Sequence, residues 1–162
     1  MKIVIIGVAV AAAAFGLALM VGLLLPETRT GSAQRLMRAT PDTILSVITD
    51  VAAQPDWRSD VRAIEAEGDA WVEVTRSSDR IRFEWTERTA TTLALRFRSD
   101  RGVVGTWRAR LVPETVGTRL AVEERASIRG PLGRLIAALL FDPNTFSERY
   151  LDELAQRLEK VS

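Results

Sequence analysis

An apolar run from Ile3 to Leu25, built only from Gly, Ala, Val, Ile, Leu, Met and Phe, constrains this chain more than any other feature. At about 1.5 Å per residue it reaches roughly 35 Å, enough to cross a hydrocarbon core of about 30 Å. It reads as one uncleaved transmembrane anchor over residues 1–26. A cleaved signal peptide is the competing reading, because Lys2 supplies a short basic lead. Against it, the run outlasts the usual apolar core of such peptides, and cleavage at Gly31-Ser32-Ala33 would cut into the first expected strand. Lys2 stands on one side of the run, with Arg29, Arg35 and Arg38, partly offset by Glu27, on the other. Orientation is therefore close to balanced, with a slight lean towards an exported domain. The expected localisation is single-pass membrane.

Residues 27–162 are long enough to bury one core and read as one domain. Of 22 basic and 21 acidic side chains, only Lys2 precedes Glu27, so this domain is formally neutral. It has no bulk electrostatic reason to seek nucleic acid. There is no Cys and no His. Disulfides, thiol catalysis and zinc–thiolate sites are excluded, along with the commonest general base and metal ligand. No Gly-rich phosphate loop, metal-ligand spacing or Ser–His–acid arrangement is present. No catalytic residue, metal or cofactor is expected from the motifs.

Along the domain, Pro26 to Gly31 reads as a polar hinge and Ser32–Arg38 as a strand. Thr40-Pro41-Asp42 is a helix start, with Thr as N-cap, Pro at N1 and an acid in the first turn. The helix buries Ile44, Leu45, Val47 and Ile48, and Ala52 to Trp57 forms a second short turn broken by Pro55. From Val61 the period becomes two. Val72 and Val74 alternate with Trp71 and Glu73; Ile81, Phe83 and Trp85 alternate with Arg80, Arg82 and Glu84. Leu93, Leu95 and Phe97 face away from Arg96 and Arg98; Gly105, Trp107, Ala109 and Leu111 face away from Arg108 and Arg110. Leu120, Val122, Ala126 and Ile128 complete the series. Such alternation marks antiparallel strands with one dry and one wet face, and the arginine rows should pair with Glu73, Glu84 and Glu123 on the wet one. The C-terminus returns to helix, interrupted at Asp142-Pro143, with Phe146, Tyr150, Leu151, Leu154 and Leu158 as one stripe. Leu135 to Phe141 reads as the buried start of the helix that covers the sheet. The architecture expected is α+β, an antiparallel sheet closed by a long C-terminal helix with space between them.

Three stretches carry a family resemblance: Thr40-Pro41 through Pro55-Asp56-Trp57-Arg58-Ser59-Asp60-Val61; Gly105-Thr106-Trp107-Arg108 ahead of Gly117-Thr118-Arg119-Leu120 and Glu123-Glu124; and Gly130-Pro131-Leu132-Gly133-Arg134 leading to Tyr150-Leu151-Asp152-Glu153-Leu154. In this order they resemble the SRPBCC superfamily of START-like, helix-grip proteins, whose bacterial members are often polyketide cyclase/dehydrase-like. The resemblance implies a curved sheet wrapped around the C-terminal helix and a hydrophobic cavity for a lipid-like or small apolar molecule. The iron-dependent oxygenase branch needs histidines that this chain lacks.

Glu124 stands out, since strict alternation with Leu120, Val122, Ala126 and Ile128 points it into the dry interior. There it should have a raised pKa or a cationic partner, with Arg58 the candidate. A bulge near Glu123-Glu124 would instead return it to solvent. Expected cavity residues are Trp57, Arg58, Phe83, Trp85, Trp107, Glu124, Leu135 and Leu139. The leading expectation is a monomeric, membrane-anchored protein that binds a lipid or small hydrophobic molecule. The alternatives are a cyclase or dehydrase using Glu124, with Arg58 or Tyr150, and a ligand-free interaction module.

Overall fold

A computed structural model describes residues 2–161, with the side chains of residues 6–7 and 10–161. After the N-terminal helix α1 (Lys2–Leu24) come β1 (Thr28–Met37), α2 (Pro41–Thr49), a 3-10 segment (Val51–Asp56) and six strands. These are β2 (Val61–Glu67), β3 (Ala70–Thr75), β4 (Arg80–Arg88), β5 (Thr92–Ser99), β6 (Val103–Glu114) and β7 (Gly117–Ile128). Two helices follow, α3 (Pro131–Leu140) and α4 (Pro143–Val161). The seven strands form one antiparallel sheet in the order β1-β7-β6-β5-β4-β3-β2. The meander β2 to β7 needs only short turns, while β1 reaches the far edge by way of α2 and the 3-10 segment.

The Thr40 cap forms as the sequence implies: its side chain accepts from the Thr43 amide at 3.3 Å, with Pro41 at the first helical position. Chain reversal at Gly102 uses φ +81°, a conformation open to glycine at little cost. α4 lies against β1 and buries Ser147, Tyr150, Leu151, Leu154 and Leu158. Gly31 makes this approach possible, because a Cβ there would overlap the Pro143 backbone. The Ser32 amide then donates to Asn144 Oδ1 at 3.1 Å. The core joins Met37, Ile44 and Ile48 to Leu111, Leu120, Val122, Leu151, Leu154 and Leu158.

Four expectations need correcting. Among the described residues no helix is long and apolar enough to cross a membrane, which overturns the single-pass membrane localisation and the anchor at Ile3–Leu25. Part of the anchor reading, Ile3 to Ile5 with Val8 and Ala9, lies outside the described side chains. The C-terminal end of α1 packs on α3, where Gly22 meets the Pro131 backbone.

The hinge at Pro26–Gly31 is largely strand: β1 begins at Thr28, because Thr28 to Gly31 continue the β7 ladder opposite Ser127 to Glu124. In β3 the faces are reversed. Trp71 and Glu73 pair with Phe83 and Ile81 on the concave side, while Val72 and Val74 face outward beside Arg82 and Arg80. There Arg80 pairs with Glu65 and Arg82 with Glu67 and Glu84, and both valines are nonetheless buried. Finally, Leu135–Phe141 does not begin the covering helix. Pro143 lacks an amide hydrogen and Asp142 Oδ1 accepts from the Asn144 amide at 2.9 Å, so α4 starts afresh. α3 is left with Ile136, Leu139 and Leu140 exposed, as is Phe141 just after it.

Candidate ligand-binding site

Strand register assembles the concave face in two rows. One runs Trp71, Phe83, Phe97, Gly105 and Ala126; the other runs Trp85, Leu95, Trp107, Glu124 and Gly31. A register shift between Trp85 and Glu87 ends this regular pairing in β4. Gly105 is required in the first row, since a Cβ would collide with the Phe97 ring and the Arg125 carbonyl. The aromatic rings touch in sequence. Trp71 stacks on Phe83 at 5.5 Å and tilts against Trp85 at 5.3 Å, and Phe83 meets Phe97 at 5.7 Å. Trp71 and Trp107 are buried, whereas Phe83, Trp85 and Phe97 are half-buried. The outer end of the concave side is thus an aromatic floor in partial contact with solvent.

Its inner end is built around Tyr150 of α4. This ring makes edge contacts with Trp107 at 5.6 Å and Trp57 at 5.7 Å, and the Arg58 guanidinium lies 5.8 Å from its centre. Arg58 is buried and held in place from three directions. Its Nη1 donates to both Glu73 oxygens at 2.9 and 3.0 Å and to Gln54 Oε1 at 2.7 Å. Its Nε and Nη2 donate to Asp60 at 3.3 and 2.9 Å. Burial opposes the charge on Arg58, but Glu73 and Asp60 together outweigh it and raise its pKa. Burial holds the Glu73 carboxyl above the usual range, against the pull of Arg58 and of the Trp71 indole that donates to it at 3.3 Å.

Glu124 sits on the same side without a bulge, directly opposite Trp107. Among the described residues it has neither a hydrogen bond nor an ion pair. Burial pushes its carboxyl up to about 7, with Arg58 lowering it and Asp60 and Glu73 adding to the rise. Arg58 reaches it only through space. Burial likewise raises the Tyr150 hydroxyl, so it stays neutral throughout the physiological range. Trp57 Nε1 is buried with no acceptor among the described residues. Three polar groups at the inner end therefore have unused hydrogen-bonding capacity: a carboxyl, a phenol and an indole N–H.

Of the residues expected from the sequence, Trp57, Arg58, Phe83, Trp85, Trp107 and Glu124 share this concave side. Leu135 and Leu139 do not join them: Leu135 is half-buried on α3, and Leu139 is 73 % exposed. The space directly under α4 is filled by Tyr150, Leu151 and Leu154. Two hollows lie elsewhere. An open groove of about 500 Å³ runs along Arg82, Glu84, Arg96 and Arg98 and also touches Phe97, Val104 and Gly105, and one of about 300 Å³ lies between α2 and the end of α4, reaching Trp57.

The expected wet-face pairing holds for Glu84, which takes Arg82 and Arg96. Glu123 pairs with Arg125 on its own strand, and Glu73 is withdrawn to Arg58. The importance of Glu73, Asp60 and Gln54 was missed. For Glu73 the available signal was its phase with Trp71, an aromatic better suited to the dry face than to the wet one.

A family model described as polyketide cyclase / dehydrase and lipid transport matches residues 28–159. No curated protein matches the chain. Among solved structures, the chain is similar to a START superfamily protein from Mycobacterium smegmatis, with a TM-score of 0.63 at 15% identity over 85% of this chain and 100% of that one. It is also similar to the Zhui aromatase/cyclase from a Streptomyces species, with 0.65 at 14% identity over 82% and 94% of the two chains. A norcoclaurine synthase from Thalictrum gives 0.63 at 12% identity over 82% and 95%. At these identities the likeness is one of fold.

Proposed function

The chain belongs to the polyketide cyclase / dehydrase and lipid transport family, and from that premise we propose that it binds a small, largely apolar molecule on the concave face of its sheet. The molecule lies over Phe83, Trp85 and Phe97 and reaches inward to Glu124 and Trp57. The observation that carries this reading is a half-buried aromatic floor leading to polar atoms without partners. A pocket of mostly aromatic walls with a few convergent polar groups is the usual design of a small-molecule site. The buried pair of Arg58 and Glu73 is internally neutralised and acts as scaffold, holding Tyr150 and Trp71 in place.

Native mass spectrometry of the full chain, with solvent extraction of what it carries, tests this. A co-purifying species of defined mass that is lost from a Phe83→Ala/Trp85→Ala variant supports the reading. An empty protein whose tryptophan fluorescence ignores apolar probes such as naphthalene derivatives sinks it.

A second reading is favoured by the proton affinity of Glu124, which lies close to neutral pH. Such a carboxyl suits general acid–base work. On a β-hydroxy carbonyl compound, the carboxylate would take the proton from the carbon next to the carbonyl. A C=C bond would form, and the hydroxyl would leave with that proton as water. Turnover of a polyketide-like β-hydroxy ketone, abolished by Glu124→Gln with binding retained, would favour this over simple binding.

A further inference from the structure

The charges at the inner end of the concave face do not cancel. Arg58 is the cation buried there, and two carboxylates already occupy it: Glu73 through both oxygens, and Asp60 at 2.9 Å. Glu124 is a third carboxylate, with lone pairs that no described donor meets. The surrounding surface is aromatic, with Trp107 directly opposite and the edge of Tyr150 against Trp107. Ring faces carry negative quadrupole density and favour positive groups over negative ones.

We infer that Glu124 is the specificity-determining residue of this site: it excludes ligands that bring a carboxylate or phosphate to the inner end and selects those that present a hydrogen-bond donor there, a hydroxyl or a protonated amine. The inference rests on the concave face being a ligand site. An incoming anion would meet three carboxylates balanced by one guanidinium, in surroundings where like charges are poorly screened. A donor would meet a half-buried acceptor that no described side chain occupies, so its hydrogen bond replaces only weak solvent contact. Free fatty acids and acidic phospholipids are thereby rejected as occupants, and sterol-like alcohols, phenols and amines are admitted.

Three probes with a common naphthalene body separate the possibilities: 1-naphthylmethylamine, 1-naphthalenemethanol and 1-naphthoate. Each is titrated into the full chain at pH 8, where Glu124 is mostly ionised, by calorimetry or tryptophan fluorescence. The alcohol and the amine are expected to bind at least about tenfold more tightly than naphthoate, the effect of a single unfavourable charge contact. Glu124→Gln, checked for native circular dichroism, should narrow that ratio to within about threefold, mainly by improving naphthoate. Equal affinities of the wild-type chain for naphthoate and the alcohol would overturn the inference without involving the variant. So would an unchanged ratio in Glu124→Gln. If none of the probes binds either protein, the ligand-site reading itself falls, and the selectivity with it.

Discussion

Replacing Glu124 by Gln keeps the shape of the side chain and removes its titration. In the folded chain, burial pushes this carboxyl from its ordinary value of 4.5 up to about 7. Arg58 acts in the opposite direction, and Asp60 and Glu73 reinforce the rise. The groups facing it are Trp107 from β6, Gly31 from β1, and the Arg58, Asp60 and Glu73 charges, with Tyr150 neutral beside them. Between pH 4.5 and 7 the native chain therefore holds a proton that the unfolded chain has released. The stability from this group is fully present below about pH 4.5 and is lost as the pH rises through about 7. The whole displacement is worth roughly 3 kcal/mol, and partial solvent contact reduces this to about 2 kcal/mol. Urea unfolding of both proteins from pH 4.5 to 8.5 measures it. The two stabilities should match near pH 4.5, and the Gln variant should lead by about 2 kcal/mol at pH 8. A difference that does not change with pH would refute the reasoning, because it would mean that Glu124 titrates alike in both states.

Arg58→Met should cost about 3–4 kcal/mol in the same urea assay, since it strands the buried Glu73 carboxylate and frees Gln54. Adding Glu73→Leu should recover most of that loss, whereas a loss below about 1 kcal/mol for the single variant would show that the pair is solvated. Gly105→Ala should cost about 1–3 kcal/mol by displacing the Phe97 ring. It should also weaken 1-naphthalenemethanol binding, and unaltered binding would show that the Phe97 row is not part of the floor.

The sheet was legible because period two is a direct image of the pleat: the strands from Val61 to Ile128 could be found, while alternation alone left Glu124 open between an inward phase and a bulge or solvated position. Thr40-Pro41 was legible for a similar reason, since a cap is a local device. Face assignment in β3 was not. All of Ala70 to Glu73 is buried, so polarity there no longer reports which side is outside. Val72 and Val74 are buried although they stand in register with Arg82 and Arg80 on the outward face. Only pairing with Phe83 and Ile81, a long-range fact, sets the phase. Asp142-Pro143 signalled a fresh helix start, yet Leu135 to Phe141 was still assigned to the covering element. Where α3 would go after the break depended on Gly22 and Pro131 meeting, two positions far apart in sequence. The site followed the same division. Its aromatic residues were visible strand by strand, while the network of Arg58 with Gln54, Asp60 and Glu73 joins a 3-10 segment to a strand whose phase was misread.

A sheet has three ordinary ways to relieve a carboxylate on its dry face, and this one uses none of them fully at Glu124. It can insert a bulge, yet the register of β7 runs unbroken past both β6 and β1. It can supply a cation, yet Arg58 is held by Glu73 and Asp60. It can open the position to water, and here it does so only in part: Glu124 is half-buried, and burial is still the largest influence on its proton affinity. At pH 8 the folded chain thus carries about 2 kcal/mol of unfavourable charge burial, at a position where the aromatic floor ends and polar capacity is unspent. Local rules broken without compensation are expected where a protein meets something other than itself. A ligand hydroxyl or ammonium donating to Glu124 removes that burden, because a hydrogen bond to the ionised form draws the carboxyl back towards its ordinary value. Stability and ligand choice then depend on the same proton: molecules that favour the charged form of Glu124 stabilise the fold most strongly above neutral pH, and anions, which favour the protonated form, cannot.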